Sequence, residues 1–114
     1  KVFKRKKIKN YDEKIIHKVL SIFSSKLKDK KKIIIYLPDQ SCFLEQQQNC
    51  KDEFNLLEKI ASKNNLEIHN FKNSINSELF KDYFALGINR NHYSNKGYKD
   101  LSDYIFKILQ NDLN

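Results

Sequence analysis

The sequence predicts an α/β fold in which a parallel sheet is flanked by helices. Two observations carry that expectation. First, Ile33-Ile34-Ile35-Tyr36-Leu37 is a continuous, β-branched run closed by Pro38, which suits a strand buried on both faces and ended by a residue with no N–H for the ladder. Second, stretches with helical apolar spacing stand before, between and after this run and a second strand-like segment, 66–71. Strands that alternate with helices are joined by crossovers, and crossovers make parallel sheets. Two strands are a thin sheet for such an architecture, so copies pairing through an open edge, or further strands from outside this chain, are expected.

The elements follow in order. Residues 1–9 (KVFKRKKIK) form a basic arm, and residues 10–114 carry the α/β part as a single domain or domain fragment. A helix is expected over 11–28: Asn10 and Glu13 have capping-box spacing, and Ile15, Ile16, Val19, Leu20, Phe23 and Leu27 form one apolar stripe. Cations from Lys26 to Lys32 then gather around the negative end of its dipole. After the first strand, the polar stretch 39–49 is read as a loop or irregular helix. A second helix is expected over 52–63, with Phe54, Leu57, Ile60 and Ala61 inward and Asn64-Asn65 ending it. In the strand over 66–71, Leu66, Ile68 and Asn70 share one face. A short helix is placed near 78–84 and a loop over 87–96. The last helix, 96–109, has Tyr98, Leu101, Ile105, Ile108 and Leu109 at helical spacing.

Composition narrows the function. With 39% hydrophobic residues, one proline and two glycines, the chain is neither a linker nor a low-complexity protein. No apolar run reaches the roughly 18–20 residues of a membrane span. There is no methionine even at position 1, so a piece of a longer protein or a processed product is expected. The net charge of +8 is concentrated: residues 1–32 hold 13 Lys/Arg against 3 Asp/Glu, whereas residues 33–114 hold 9 against 11. Such a run is ordinarily a solvated helix face and a basic arm; a polyanion-binding patch over 1–32 is the alternative. Nucleic-acid binding is disfavoured, because no zinc finger, RNA-recognition signature or helix-turn-helix accompanies the charge.

The most specific segment is NRNHYSNKGY (89–98), which runs directly into the last helix. A histidine on a loop entering a helix can be held while facing the crevice beyond the strand carboxyl ends, and Gly97 is read as allowing a tight backbone path. His-x-Ser-x-x-Gly followed by an apolar helix resembles the last conserved block of SGNH/GDSL esterases and acyltransferases. The strand ending in proline (IIIYLP), the helix and the second strand (LEIHNF) resemble that family's final βαβα segment, over about residues 11–110. The resemblance implies a three-layer α/β/α, flavodoxin-like domain, incomplete in this chain, with His92 as general base of a Ser-His or Ser-His-Asp system. It further implies an acylated small molecule or polysaccharide as substrate, no cofactor, and a site in the cell envelope or outside the cytoplasm in preference to the cytoplasm.

Two departures stand out. The family's aspartate three residues before the histidine is Asn89 here, which can hold an imidazole but cannot offset its charge. No Gly-Asp-Ser nucleophile block, oxyanion glycine or Gly-x-Asn-Asp block is present, so the chain alone is expected to be inactive. Asn91 and Ser94 are the candidate binding residues of the same loop. A non-catalytic α/β module is the competing expectation.

The remaining candidates are weaker. Tyr93 and Tyr98 are expected in packing, His17 at the surface and His69 half-buried on its strand. The three histidines have no metal-ligand spacing, so no metal is expected. Ser41 follows the first strand, where a nucleophile could sit, but lacks Gly-x-Ser-x-Gly surroundings. Cys42 and Cys50 are either two reduced cysteines or a disulfide that pins the loop.

Overall fold

In a computed structural model, residues 10–85 and 92–113 are described. The basic arm 1–9 and the first half of the loop expected over 87–96 lie outside these residues. The element order is α1 (Asn10–Lys26), β1 (Ile33–Tyr36), α2 (Gln47–Lys63), β2 (Glu67–Asn70) and α3 (Asn95–Leu113). Short 3₁₀ turns stand at Gln40–Phe43, Phe71–Ser74 and Phe80–Tyr83. The chain is thus mixed α/β, and its strands form a two-stranded parallel sheet with Ile33 opposite Glu67 and Tyr36 opposite Asn70. Among the described residues, no helix is long and apolar enough to cross a membrane.

Local chemistry sets the boundaries. α1 ends where the Lys32 ammonium donates to the Leu27 and Ser24 carbonyls (2.8 and 3.2 Å), which are left without intrahelical partners at that end. α2 closes in a Schellman motif. Asn65 adopts φ 54°, its N–H bonds to Ser62 O (3.1 Å), and Leu66 N–H reaches back to Ala61 O (2.9 Å). Asparagine tolerates this left-handed conformation better than most residues, which is why the Asn64-Asn65 pair stops the helix.

α2 begins at Gln47, five residues before the start the sequence predicts. Cys42 and Cys50 form a disulfide (Cα–Cα 5.6 Å) that ties the Gln40–Phe43 turn to the first turn of α2. Closing so short a ring restricts the unfolded chain by an amount on the order of 2–3 kcal/mol. That tether holds the polar QQN start of α2 in helical register despite the absence of an apolar stripe.

Side chains on the sheet alternate as the pleat requires. Tyr36 points to α2, stacking edge-on to Phe54 (5.6 Å) and donating its hydroxyl to Glu53 (2.8 Å). Ile35 and His69 are on the other face, where His69 lies edge-on to Tyr104 of α3 and Ile35 packs against the core. The core gathers beyond the strand ends around Phe71, which is 1% exposed and touches Tyr83, Tyr93 and Tyr104.

The apolar stripe of α1 is only half used. Ile16, Leu20 and Phe23 are half-buried, while Ile15, Val19, Ile22 and Leu27 stay exposed. On α3, Leu101, Tyr104 and Ile108 are half-buried, while Tyr98, Ile105, Phe106 and Leu109 remain exposed. α1 packs against α2, and α3 against the turns that follow β2, so neither apolar stripe is covered across its full width.

Candidate functional site

The segment entering α3 is held by backbone bonds on both sides. Ala85 N–H donates to His92 O and Ser94 N–H to Tyr83 O, each at 2.8 Å, so Phe84 and Tyr93 form an isolated antiparallel bridge. Tyr93 is buried, edge-on to Phe84 at 5.1 Å, and its hydroxyl donates to the Pro38 carbonyl at 2.7 Å. Pro38 lies two residues past the end of β1. The His92 backbone is therefore anchored just beyond the carboxyl end of that strand.

The imidazole of His92 is exposed and has no hydrogen-bonding partner among the described residues. Asn89 and Asn91 lie outside those residues. Ser94 is engaged in structure: it caps α3 by accepting from Gly97 N–H (3.1 Å), and its hydroxyl donates to the Asp82 carbonyl. Ser41 donates its hydroxyl to Asp39, which also caps the following turn, so no hydrogen bond joins Ser41 to His92.

No known protein family matches the chain, and neither a curated protein nor a solved structure is similar to it. The functional reading therefore rests on the site itself.

Gly97 permits the tight backbone path expected of it. It needs space and not an unusual dihedral: a Cβ there would lie 2.3 Å from Tyr83 O and 3.1 Å from Tyr93 Cβ. The close approach of α3 to the Phe80–Tyr83 turn explains why glycine stands three residues after Ser94. Gly97→Ala gains about 1 kcal/mol of helix propensity at most, but the clash is with a backbone carbonyl that cannot swing aside. Overpacking of this kind costs about 1–3 kcal/mol, so a net fall in melting temperature is expected in a thermal scan. An unchanged or raised melting temperature would contradict the packing described here.

Burial raises the Tyr93 phenol well above its ordinary value, and the negative charge of Asp39 pushes it further the same way. A raised acid contributes stability that is complete below its unfolded-state value and is lost as pH rises above it. The protein is thus expected to lose stability above about pH 10. Phenolate absorbance from Tyr93 should appear only together with loss of the far-ultraviolet helix signal. Its ionisation in a still-folded chain would contradict the Pro38 anchor.

The other histidines are placed as expected. His17 is exposed on α1, within 3.4 Å of the Asn64 amide. His69 is half-buried and pairs with Glu67. Bonds from Lys31 and then His69 hold the Glu67 carboxyl below its ordinary value, so both partners serve the sheet. Asp39, Cys42 and Cys50 are close enough together to hold a metal, but both sulfurs are committed to the disulfide.

Sequence reasoning read Tyr93 as packing and missed its second task, the tether from the histidine to Pro38. The available signal was its position directly after His92, with a proline closing the apolar strand.

Proposed function

We propose that the chain is the C-terminal portion of an SGNH-type ester hydrolase or O-acyltransferase domain, with His92 as its general base. The observation that carries this reading is the Tyr93–Pro38 hydrogen bond. It keeps the histidine segment at the carboxyl end of β1, where open α/β sheets keep their ligand crevices. In this reading the complete domain is a three-layer, flavodoxin-like α/β/α fold, of which β1 and β2 are two strands. The exposed apolar residues of α1 and α3 are then surface that further strands would cover.

The chemistry follows from the residue types. Neutral His92 takes the proton of a serine hydroxyl as its oxygen attacks an ester carbonyl, then returns it to the departing alkoxide. Water or an acceptor hydroxyl completes the cycle with His92 again as base, and no cofactor is needed. Asn89 would orient the ring without balancing its charge. The serine is not in these 114 residues, so another segment or chain supplies it across the open sheet edge. The substrate is an acylated small molecule or polysaccharide.

The competing reading, a non-catalytic α/β module, draws on the exposed and unpartnered His92 ring. The two are separated by assaying p-nitrophenyl acetate hydrolysis and fluorophosphonate labelling in the intact polypeptide that contains this chain. Hydrolysis and labelling of an upstream serine are expected, both lost from the 114-residue chain alone. An intact polypeptide without either would leave the module.

A further inference from the structure

A cleft of about 690 Å³ opens at the carboxyl ends of both strands, with Tyr36 and Asn70 on its wall and none of residues 92–94 among its lining. That volume is within the range of small-ligand sites. One side is the polar face of α2, where Gln47, Lys51 and Asn55 recur every four residues. The other side brings Lys72, Asn73 and Ser77 from the segment after β2. Phe43 and Phe54 give it an apolar floor.

The cleft's charge is one-sided. Two ammonium groups, Lys51 and Lys72, line it, and no aspartate or glutamate does. Neither lysine has a carboxylate partner among the described residues, and Lys72 instead lies over the Phe43 ring at 5.3 Å. Asp52 and Glu53 are next door on α2, where they accept from Gln48 and Tyr36. The first turn of α2 carries no acid and no side-chain cap, so the positive end of its dipole adds to the field.

The hydrogen-bonding groups are of a particular kind. Asn55, Asn73 and Ser77 make no side-chain hydrogen bond among the described residues, and each both donates and accepts. A phosphate is chiefly an acceptor and would use mainly the N–H and O–H donors of these groups, leaving the amide carbonyls little used. A sugar hydroxyl also donates and accepts, so it matches them, while a carboxylate on the same sugar answers the two lysines.

We propose that this cleft binds an acidic saccharide. Its carboxylate sits between Lys51 and Lys72, and its ring hydroxyls meet Asn55, Asn73 and Ser77. The inference rests on the cleft and not on His92: a chain with no catalytic role would bind equally, so either reading can fail alone.

The test is titration of the 114-residue chain, followed by amide NMR shifts, with tetrasaccharides of galacturonate, alginate and hyaluronan. Maltotetraose and inorganic phosphate serve as the neutral and simple-anion probes. At least one acidic tetrasaccharide should shift residues 47–55 and 70–77, with maltotetraose and phosphate far weaker. Each charge-assisted bond removed should weaken binding by about tenfold, so Lys51→Gln and Lys72→Gln should each show that loss. Asn73→Ala should weaken it severalfold, whereas the double variant Lys18→Gln/Lys26→Gln on α1 should not. All the substituted side chains reach solvent, and unchanged shifts elsewhere verify the fold. Binding by none of the three acidic sugars overturns the proposal. Equal response to maltotetraose or phosphate, or shifts confined to α1, does so as well.

Discussion

Replacing Phe71 with alanine is expected to cost about 3–5 kcal/mol, the range for truncating a buried aromatic. Phe71 is 1% exposed and stands immediately after β2, where the sheet, the Phe80–Tyr83 turn and α3 converge. Its ring lies 5.2 Å from Tyr104, 6.0 Å from Tyr93 and 6.5 Å from Tyr83, so three separate segments lose their common contact. Tyr93 is anchored by its bond to Pro38 and cannot collapse into the space, which places the loss toward the upper end. Small domains have only about 5–15 kcal/mol in total, so the variant should be largely unfolded at elevated temperature. In urea, its midpoint should fall by roughly 2 M, given m values of about 1–3 kcal/mol per molar. Phe106→Ala, at a ring 61% exposed on α3, is the control and should shift the midpoint little. A loss of under about 1 kcal/mol for Phe71→Ala would mean that the core does not close around this ring.

Much of this framework was legible because it depends on short-range rules. The β-branched run before Pro38 became β1, and the Asn64-Asn65 pair became a helix stop because asparagine accepts a positive φ. The face shared by Leu66, Ile68 and Asn70 followed from the two-residue period of a strand. The early start of α2 was not legible. Gln47 to Lys51 have no apolar periodicity, and a cross-link to Cys42 fixes them, whose formation depends on the folded geometry. The over-wide stripe on α1 has a related cause: periodicity shows which residues share a face, not how much of that face α2 covers.

The site divides in the same way. His92 could be singled out because the residues around it are close in sequence and their types are informative. Its tether through Tyr93 to Pro38 spans 55 positions, and no local pattern announces it. Gly97 could be recognised as allowing a tight path, but not which neighbour makes it tight, since the Tyr83 carbonyl that approaches it comes from a separate turn. The saccharide cleft was not visible at all. Its amides and lysines come from two segments that are each unremarkably polar, and only folding places them opposite one another.

Substitution of His92 carries the largest expected effect on activity. A positioned general base contributes about 10²–10⁴-fold, and in serine systems the nucleophile does little without it. His92→Ala in the intact polypeptide should therefore lower kcat for ester hydrolysis by at least about 10³-fold. KM should hardly change, because the ring acts on the serine proton and not on substrate binding. The fold should survive, since the side chain is exposed and the backbone carbonyl of residue 92, which accepts from Ala85, is retained. His17→Ala and His69→Ala remove the other two histidines from positions on α1 and β2 and should leave kcat unchanged. Asn89→Asp tests the second half of the argument. A carboxylate there would offset the imidazolium charge that asparagine cannot, and kcat should rise by at least about tenfold toward a ceiling near 10⁴-fold. A rise on Asn89→Asp with a collapse on His92→Ala would fit only a base awaiting its acid. If both leave kcat untouched, the His-x-Ser-x-x-Gly block serves packing alone: Ser94 caps α3, Gly97 admits the Tyr83 carbonyl, and His92 is merely the exposed residue between its neighbours.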